Sequence, residues 1–384
     1  MSKLSEMIAR LCPNGVEYKK LGEIVDYEQP GKYIVRDSNY DNSYKTPVLT
    51  AGQTFVLGYT NETDNHYMAS GEKPVIIFDD FTTAFQWVDF EFKVKSSAMK
   101  MLTSRSEEVA SLRYIYYAMQ CIHYKPVDHS RHWIEKFSKI SIPLPPLEIQ
   151  REVVEILDNF AQLTAELTAE LTAELAKRKK QYEHYRDMLL NFNGGGRYDN
   201  ISQNELCPSI EWKRLGEIVK VVTPSIKIKR LDYEVEGDTP IVSQEVELIS
   251  GYCSIKDPKL TKNEYLCFGD HSEHIKYIDF AFVQGADGLK IMIADKAKVL
   301  PKYLYYAAQN FYVRHDNYER HFKYFVDLSI PLPPLAEQKR IVAILDRFDS
   351  LCNSLTEGLP AEIALRKKQY EYYRDKLLSF KEAS

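Results

Sequence analysis

Two stretches of this 384-residue chain return almost unchanged 188 positions later, and that duplication limits the possible folds more than any other feature. SIPLPPLEIQREVVEILDNF (141–160) reappears as SIPLPPLAEQKRIVAILDRF (329–348), identical at 13 of 20 positions. KRKKQYEHYRDMLLNF (177–192) reappears as LRKKQYEYYRDKLLSF (365–380), identical at 12 of 16. Fainter echoes lie upstream: CPNGVEYKKLGEIV (12–25) matches CPSIEWKRLGEIV (207–219), and YIYYAMQ (114–120) matches YLYYAAQ (303–309). Between these anchors little is shared. The chain is therefore two copies of one plan, each a variable globular part followed by a constant helix. NFNGGGRYDN (191–200) reads as the flexible join between them. Two copies are too few for a solenoid and point to a pseudo-twofold.

The constant part reads as a long helix. Pro145 and Pro146 suit a helix start, and Glu148 sits in the first turn, where a negative charge is favourable. Apolar residues then recur at helical spacing from Val153 through Leu163, Leu167, Leu171 and Leu175 to Leu189. At ~1.5 Å per residue, a helix from Leu147 to Leu190 would be roughly 65 Å long. The second copy places Leu351, Leu355, Leu359 and Ile363 opposite those four leucines. It also carries Gly358 and Pro360, where a break or kink is expected. A lone helix with one apolar stripe is unstable, and its natural mate is its own copy, lying antiparallel. Residues 164–175 are the tetrapeptide Thr-Ala-Glu-Leu three times over. Adding or removing one unit changes a helix by ~6 Å, so the pair reads as a spacer whose repeat number sets a distance.

The variable parts, 15–140 and 210–328, are rich in β-branched and aromatic residues with frequent turn signals, as in KPVIIFDDF and FQWVDFEFKV. SLRYIYYAMQCI reads as a short helix. Each variable part is thus an α+β domain with a twisted or barrel-like sheet.

The composition, 44% hydrophobic and 27% charged, is that of a folded globular chain. No apolar run is long enough to span a bilayer, and the N-terminus lacks a signal-peptide core. Six scattered cysteines without a CxxC fit a reducing, cytoplasmic setting. A formal net charge of −5 argues against a stand-alone nonspecific nucleic-acid binder, though not against local basic faces.

Catalytic patterns are missing. GGG (194–196) has neither the lysine nor the spacing of a phosphate loop. Asp80, Glu91 and Lys93 loosely resemble a metal-dependent nuclease set, but the second copy has Ala281 opposite Glu91. CFGDHSEH offers Cys267, His271 and His274 as zinc ligands at a spacing that fits no common site, so no metal is expected. Recognition chemistry is better represented. QPGKYIVRDSNY (29–40) aligns with TPSIKIKRLDY (223–233), interleaving cations with aromatics, and HSRHW (129–133) and ERHF (319–322) each set Arg-His beside an aromatic. Arg and Lys hold phosphates and read guanine, while Asn and Gln read adenine. Two such clusters on two heads fit a bipartite ligand, and duplex DNA is the obvious one. A non-catalytic scaffold whose two heads bind proteins or glycans is the alternative.

IPLPPLEIQREVVEILDNF, the TAEL run, RKKQYEHYRDMLL and GLPAEIALRKKQYEYYRDKLLSF resemble the specificity subunit of type I restriction–modification enzymes over essentially the whole chain. The resemblance implies target-recognition domains at 1–146 and 207–334, spacer helices at 147–192 and 335–384 forming a coiled coil, and a linker at 193–206. It implies that each domain reads one half of a split, asymmetric double-stranded DNA target. The helices would dock two methyltransferase subunits, and endonuclease/translocase subunits would then join. The chain itself would be non-catalytic and hold no cofactor, with S-adenosylmethionine, ATP and Mg used by its partners. From charge and loop placement, the expected DNA-contacting residues are Lys32, Arg36, Gln53 and Arg131 in the first domain. Lys227, Arg230, Gln244 and Arg320 are their counterparts in the second. For partner docking, the duplicated Arg178, Lys179, Tyr182 and Arg366, Lys367, Tyr370 are favoured, with Pro145 and Pro333 at the helix starts.

Overall fold

The computed structural model describes residues 3–52, 54–126, 130–192, 210–258, 260–286, 288–315, 317, 319–353 and 358–383. The linker expected at 193–206, Gln53, His129 and Leu355 lie outside them. The chain forms two units, Met1–Ala169 with Ala364–Ser384, and Glu170–Ile363. Both mix strands and helices, as the α+β reading requires.

In the first unit, strand Val75–Asp79 shows why the head has two layers. Its side chains alternate faces. Ile76 and Phe78 enter a core shared with the helix Leu112–Gln120, whereas Val75 and Ile77 enter a second core with Leu49, Phe92 and Val94. An apolar run buried on both faces needs a partner layer on each side. One layer is the helix. The other is a three-stranded sheet of Val56–Thr60, Thr46–Leu49 and Lys93–Val94, the last two parallel. Val75–Asp79 itself lies within an antiparallel sheet, between Met99–Ser104 and Phe85–Val88, with Val25–Glu28 at the far edge.

The second unit repeats this arrangement. Strand Tyr265–Gly269 sends Leu266 and Phe268 to the helix side, which includes Pro301–Phe311, and Tyr265 and Cys267 to the other core. Its antiparallel sheet runs Val219–Val222, Leu289–Ala294, Tyr265–Gly269, Ile275–Ile278. The second sheet runs Lys227–Ile228, Val283–Gly285, Thr239–Val242, Gly251–Cys253.

The duplication extends to single hydrogen bonds. Tyr114 Oη donates to the Pro143 carbonyl and Tyr303 Oη to that of Pro331, both at 2.9 Å. Tyr117 Oη donates to Asp158 at 2.5 Å, and Tyr306 Oη to Asp346 at 2.6 Å. Gln150 and Gln338, both fully buried, join each constant helix to its head. Gln150 accepts from the Ser111 N–H at 2.9 Å and donates to the carbonyls of Val109 (2.9 Å) and Pro145 (2.8 Å). Gln338 accepts from the Leu300 N–H at 2.8 Å and donates to Lys298 (3.1 Å) and Pro333 (2.9 Å). Gln150→Ala removes three hydrogen bonds, that to Pro145 buried and the other two part-buried, and at about 1 kcal/mol each should destabilise the first unit by about 3 kcal/mol. Faster exchange of the Ser111 amide and a lower melting temperature would register it; an unchanged amide would show that Gln150 is dispensable.

The helix Leu147–Leu190 is continuous and contributes residues 147–169 to the first unit and 170–190 to the second. It is anchored at its ends. Ile149, Val153 and Leu157 are fully buried in the first unit's core, and Leu190 in that of the second. The tetrapeptide run contains no buried residue, and Leu163, expected to face a partner helix, is 62% exposed. A four-residue step overshoots a turn by about 40°, so the leucine row winds out of any one contact line. In the first unit, Phe160 packs on Tyr370 and Tyr373 at 5.6 and 5.7 Å. In the second, Phe348 packs on Tyr185 and Tyr182 at 5.4 and 6.4 Å.

The second constant segment is two helices, Leu335–Asn353 and Leu359–Leu377, consistent with the interruption expected at Gly358 and Pro360. Gly358 has φ +83°, and a Cβ there would lie 2.6 Å from the Ser350 carbonyl oxygen, so only glycine fits. Beyond Leu377 the chain leaves the helix. The Lys381 carbonyl accepts from the Val16 N–H at 2.8 Å, and the Ala383 N–H donates to Val16 at 2.9 Å. Among the described residues, no helix is long and apolar enough to cross a membrane.

Candidate nucleic-acid interface

In the first unit, Lys32 lies on the short 3-10 turn Gly31–Tyr33, largely exposed, 3.2 Å from Glu28 and 4.8 Å above the Tyr33 ring. Arg36 pairs with Asp64 and, at 3.5 Å, with Glu62, and its own N–H also donates to Glu62 at 2.7 Å. A buried charge lies beneath this loop. The Lys93 ammonium, 1% exposed, is 2.8 Å from Glu62 and donates to the Asp64 carbonyl at 3.0 Å. Burial works to raise the Glu62 carboxyl, but the hydrogen bonds from Lys93 and from the Arg36 and Asp37 N–H groups prevail and hold it at about 2. The loop carrying Lys32 and Arg36 is thus pinned by an ionised carboxylate.

Arg131 is held differently. Its neighbours His132 and Trp133 are buried, and their N–H groups donate to the Asp80 carbonyl and to Asp80 Oδ1, both at 2.8 Å. Asp80 Oδ2 faces the buried Lys100 ammonium at 3.0 Å. The second unit builds the same corner. His321 and Phe322 donate to the Asp270 carbonyl (2.8 Å) and Oδ1 (2.9 Å), and Lys290 lies 3.4 Å from Asp270. In each Arg-His-aromatic triplet the histidine is turned inward and the arginine, Arg131 or Arg320, is left exposed. The sequence flagged both triplets, and Asp80 only as part of a nuclease-like set, not as the group that orients its triplet.

Among the other residues of the second unit, Arg230 pairs with Glu245 at 3.1 Å. Lys227 begins a two-residue strand and, with Lys229, Asp232 and Glu234, lines an open depression of ≈ 510 Å³. Gln244 is partly inward. Its Oε1 accepts from the His271 N–H at 3.3 Å, and its main-chain oxygen accepts from the Ser272 hydroxyl. His271 Nδ1 lies 3.0 Å from the Glu319 carbonyl oxygen, so Arg230, Gln244 and Arg320 are linked through neighbouring residues. In the first unit, Lys32 and Arg36 belong to the loop over Glu62, and Arg131 to the Asp80 corner.

The structure does not gather Cys267, His271 and His274 into a zinc site. Cys267 is buried within a strand, and burial pushes its thiol up to about 12. Glu273 of the same motif instead meets His315 and His321. These histidines lie too far downstream for spacing to have flagged the set.

The expected docking residues divide into packed and exposed ones. Tyr182 and Tyr370 lie against Phe348 and Phe160, and burial raises both phenols. Arg178 donates to Glu174 and Gln181, and Arg366 to Gln369. Lys179 and Lys367 are exposed. The Pro145 and Pro333 carbonyls receive the buried glutamines.

One skeleton thus carries two unlike sets of polar loops, the geometry of a recognition protein with two specificities. The family model for the type I restriction modification DNA specificity domain matches twice, at residues 13–177 and 209–365. The chain is 41% identical to the type I restriction enzyme EcoR124I/EcoR124II specificity subunit of Escherichia coli, over 99% of this chain and 98% of that one. It is 28% identical to a putative type I restriction enzyme specificity subunit of Haemophilus influenzae, over 95% and 96% of the two chains. The fold resembles the type I restriction–modification S subunit of M. genitalium, with TM-score 0.52, 13% identity and 95% and 96% coverage. A chain solved in work on complex assembly and conformational transition of the type I R-M system aligns with TM-score 0.59, 18% identity and 95% and 98% coverage. The protein belongs to the type I restriction–modification DNA specificity family, in which it is a specificity subunit with a DNA target-recognition role.

Proposed function

We propose that each unit reads one half of a bipartite, asymmetric duplex target, and that the constant helices set the unread gap and dock two methyltransferase subunits. Endonuclease/translocase subunits complete the assembly, and S-adenosylmethionine, ATP and Mg are used by those partners in the cytoplasm, not by this chain. The observation carrying this reading is the contrast between an identical buried skeleton (Gln150 with Gln338, Asp80 with Asp270, Tyr114 with Tyr303) and dissimilar loops. Evolution that keeps the mounting and varies the surface changes what is bound, not how it is held. Two unlike loop sets call for an asymmetric target.

Exchanging residues 15–140 for those of the E. coli relative tests this. One half of the methylated sequence should change and the other should stay, as read by methylome sequencing. A target altered in both halves, or in neither, overturns the reading. Lys32 supplies a narrower check. Lys32→Ala should weaken DNA binding and flatten the dependence of log K on log salt by about one unit. An unaltered slope would remove Lys32 from the contacts.

A further inference from the structure

The turn joining strands Tyr265–Gly269 and Ile275–Ile278 places Glu273 in the left-handed region, with φ 57°, and buries it to 3% exposure. The duplicated head is an internal control. Thr83, at the matching turn of the first unit, has the same φ of 57°, so the backbone shape is common and the buried carboxylate is the addition. In the first unit the Tyr124 hydroxyl lies 2.9 Å from His132 Nδ1. In the second, Tyr312, which packs on Phe325 as Tyr124 packs on Phe137, donates its hydroxyl to Glu273 Oε2 at 2.6 Å, and His321, the counterpart of His132, has no such bond at Nδ1.

His321 is fully buried, and its Nε2 lies 3.0 Å from the Asn317 carbonyl oxygen. A carbonyl only accepts, so Nε2 is assigned the proton, which in the neutral ring leaves Nδ1 as a lone pair. That Nδ1 makes no hydrogen bond and faces Glu273 Oε2 across 3.7 Å. The carboxylate already accepts from the Tyr312 hydroxyl and from the His315 N–H, at 3.1 and 3.0 Å, but neither donor reaches Nδ1. The gap between Nδ1 and Oε2 is closed by a cation, either a proton on Nδ1 or a metal ion. His315, reached from the exposed side, puts its Nδ1 3.2 Å from the same oxygen, and all three ligand atoms lie within 4.8 Å of one another. Ligands around a tetrahedral zinc, with bonds of ~2.0–2.1 Å, stand about 3.3 Å apart. Two imidazoles and one carboxylate suit zinc, whereas magnesium and calcium take oxygen ligands.

We propose that Glu273, His315 and His321 form a zinc site, present in the second unit only, that fastens His315 and His321 to the turn at Glu273. Tyr312 on the carboxylate and the Asn317 carbonyl on His321 Nε2 supply the outer hydrogen bonds that orient such ligands. Arg320, assigned above to DNA, adjoins His321, but the test reads metal binding alone and is indifferent to that assignment.

The full-length chain, stripped with a chelator, would be titrated with zinc by calorimetry and with cobalt by visible absorption. One equivalent should bind, with the absorption of four-coordinate cobalt. His315→Ala, which keeps the main-chain N–H bonded to Glu273 and removes the imidazole, should weaken zinc binding at least about tenfold. Glu273→Thr, which installs the residue the first unit carries at the same φ, should abolish the stoichiometric site while circular dichroism stays unchanged. No stoichiometric zinc in the parent chain, or one equivalent bound with equal affinity by both variants, overturns the proposal.

Discussion

Excision of Thr164–Leu167 should bring the two half-sites of the methylated target about one or two base pairs closer, with the bases of each half unchanged. Four helical residues span ~6 Å, against ~3.4 Å per base step. The excision leaves both cores intact. The segment removed contributes no buried side chain, while the anchors Ile149, Val153, Leu157 and Leu190 lie outside it. Four residues also turn a helix by about 400°, so everything beyond the cut is rotated by only about 40°, comparable to the twist of one base step. A three-residue excision would rotate it by about 60° the other way and should impair assembly. Methylome sequencing in a host carrying the shortened chain measures the gap directly. An unaltered gap would leave the tetrapeptide run without a measuring role.

Lys100→Ala should destabilise the first unit by about 3–5 kcal/mol, the cost of stranding one member of a buried ion pair. Asp80 is 1% exposed and its other oxygen accepts from Trp133, so loss of the ammonium leaves a buried carboxylate oxygen without its cation. The matching Lys290→Ala in the second unit should cost about 1 kcal/mol or less, because Lys290 is 35% exposed at 3.4 Å from Asp270. The asymmetry is the test. Hydrogen exchange resolved by unit separates the two effects, which one melting curve of a two-unit chain would blur. Equal losses in the two units would mean that burial does not control the strength of these pairs. Since Asp80 also orients the segment that begins at Arg131, Lys100→Ala should weaken DNA binding through the first unit as well.

How far the sequence could be read depended on whether a property was periodic or duplicated. The long helix was legible because its apolar residues recur locally, and the break at Gly358 because glycine and proline interrupt that pattern. Gln150 and Gln338 were within reach: both are identical in the two copies, inside an apolar stripe where a polar side chain must find partners. Their capture of Ser111 and Leu300 was out of reach, since it joins residues roughly forty positions apart. The Arg-His-aromatic triplets were visible as motifs, yet which members face solvent was decided by Asp80 and Asp270 on a distant strand. Gln244 reads as a base-contacting residue from its amide and its loop placement, and only the fold shows its carboxamide oxygen accepting from the His271 N–H. Tyr182 and Tyr370 read as docking residues from their duplication, and the structure adds that they pack on Phe348 and Phe160.

The amino-acid order alone determined that this protein is one plan used twice, with helical struts after each head and a countable insert in the first strut. Those properties rest on local periodicity and on comparing the chain with itself, and neither needs coordinates. Only the tertiary structure decided which charges are buried, which arginines reach solvent, and that Glu273, His315 and His321 converge in one head and not in the other. Such meetings depend on how strands and turns remote in sequence are packed, and packing leaves no period for the sequence to display.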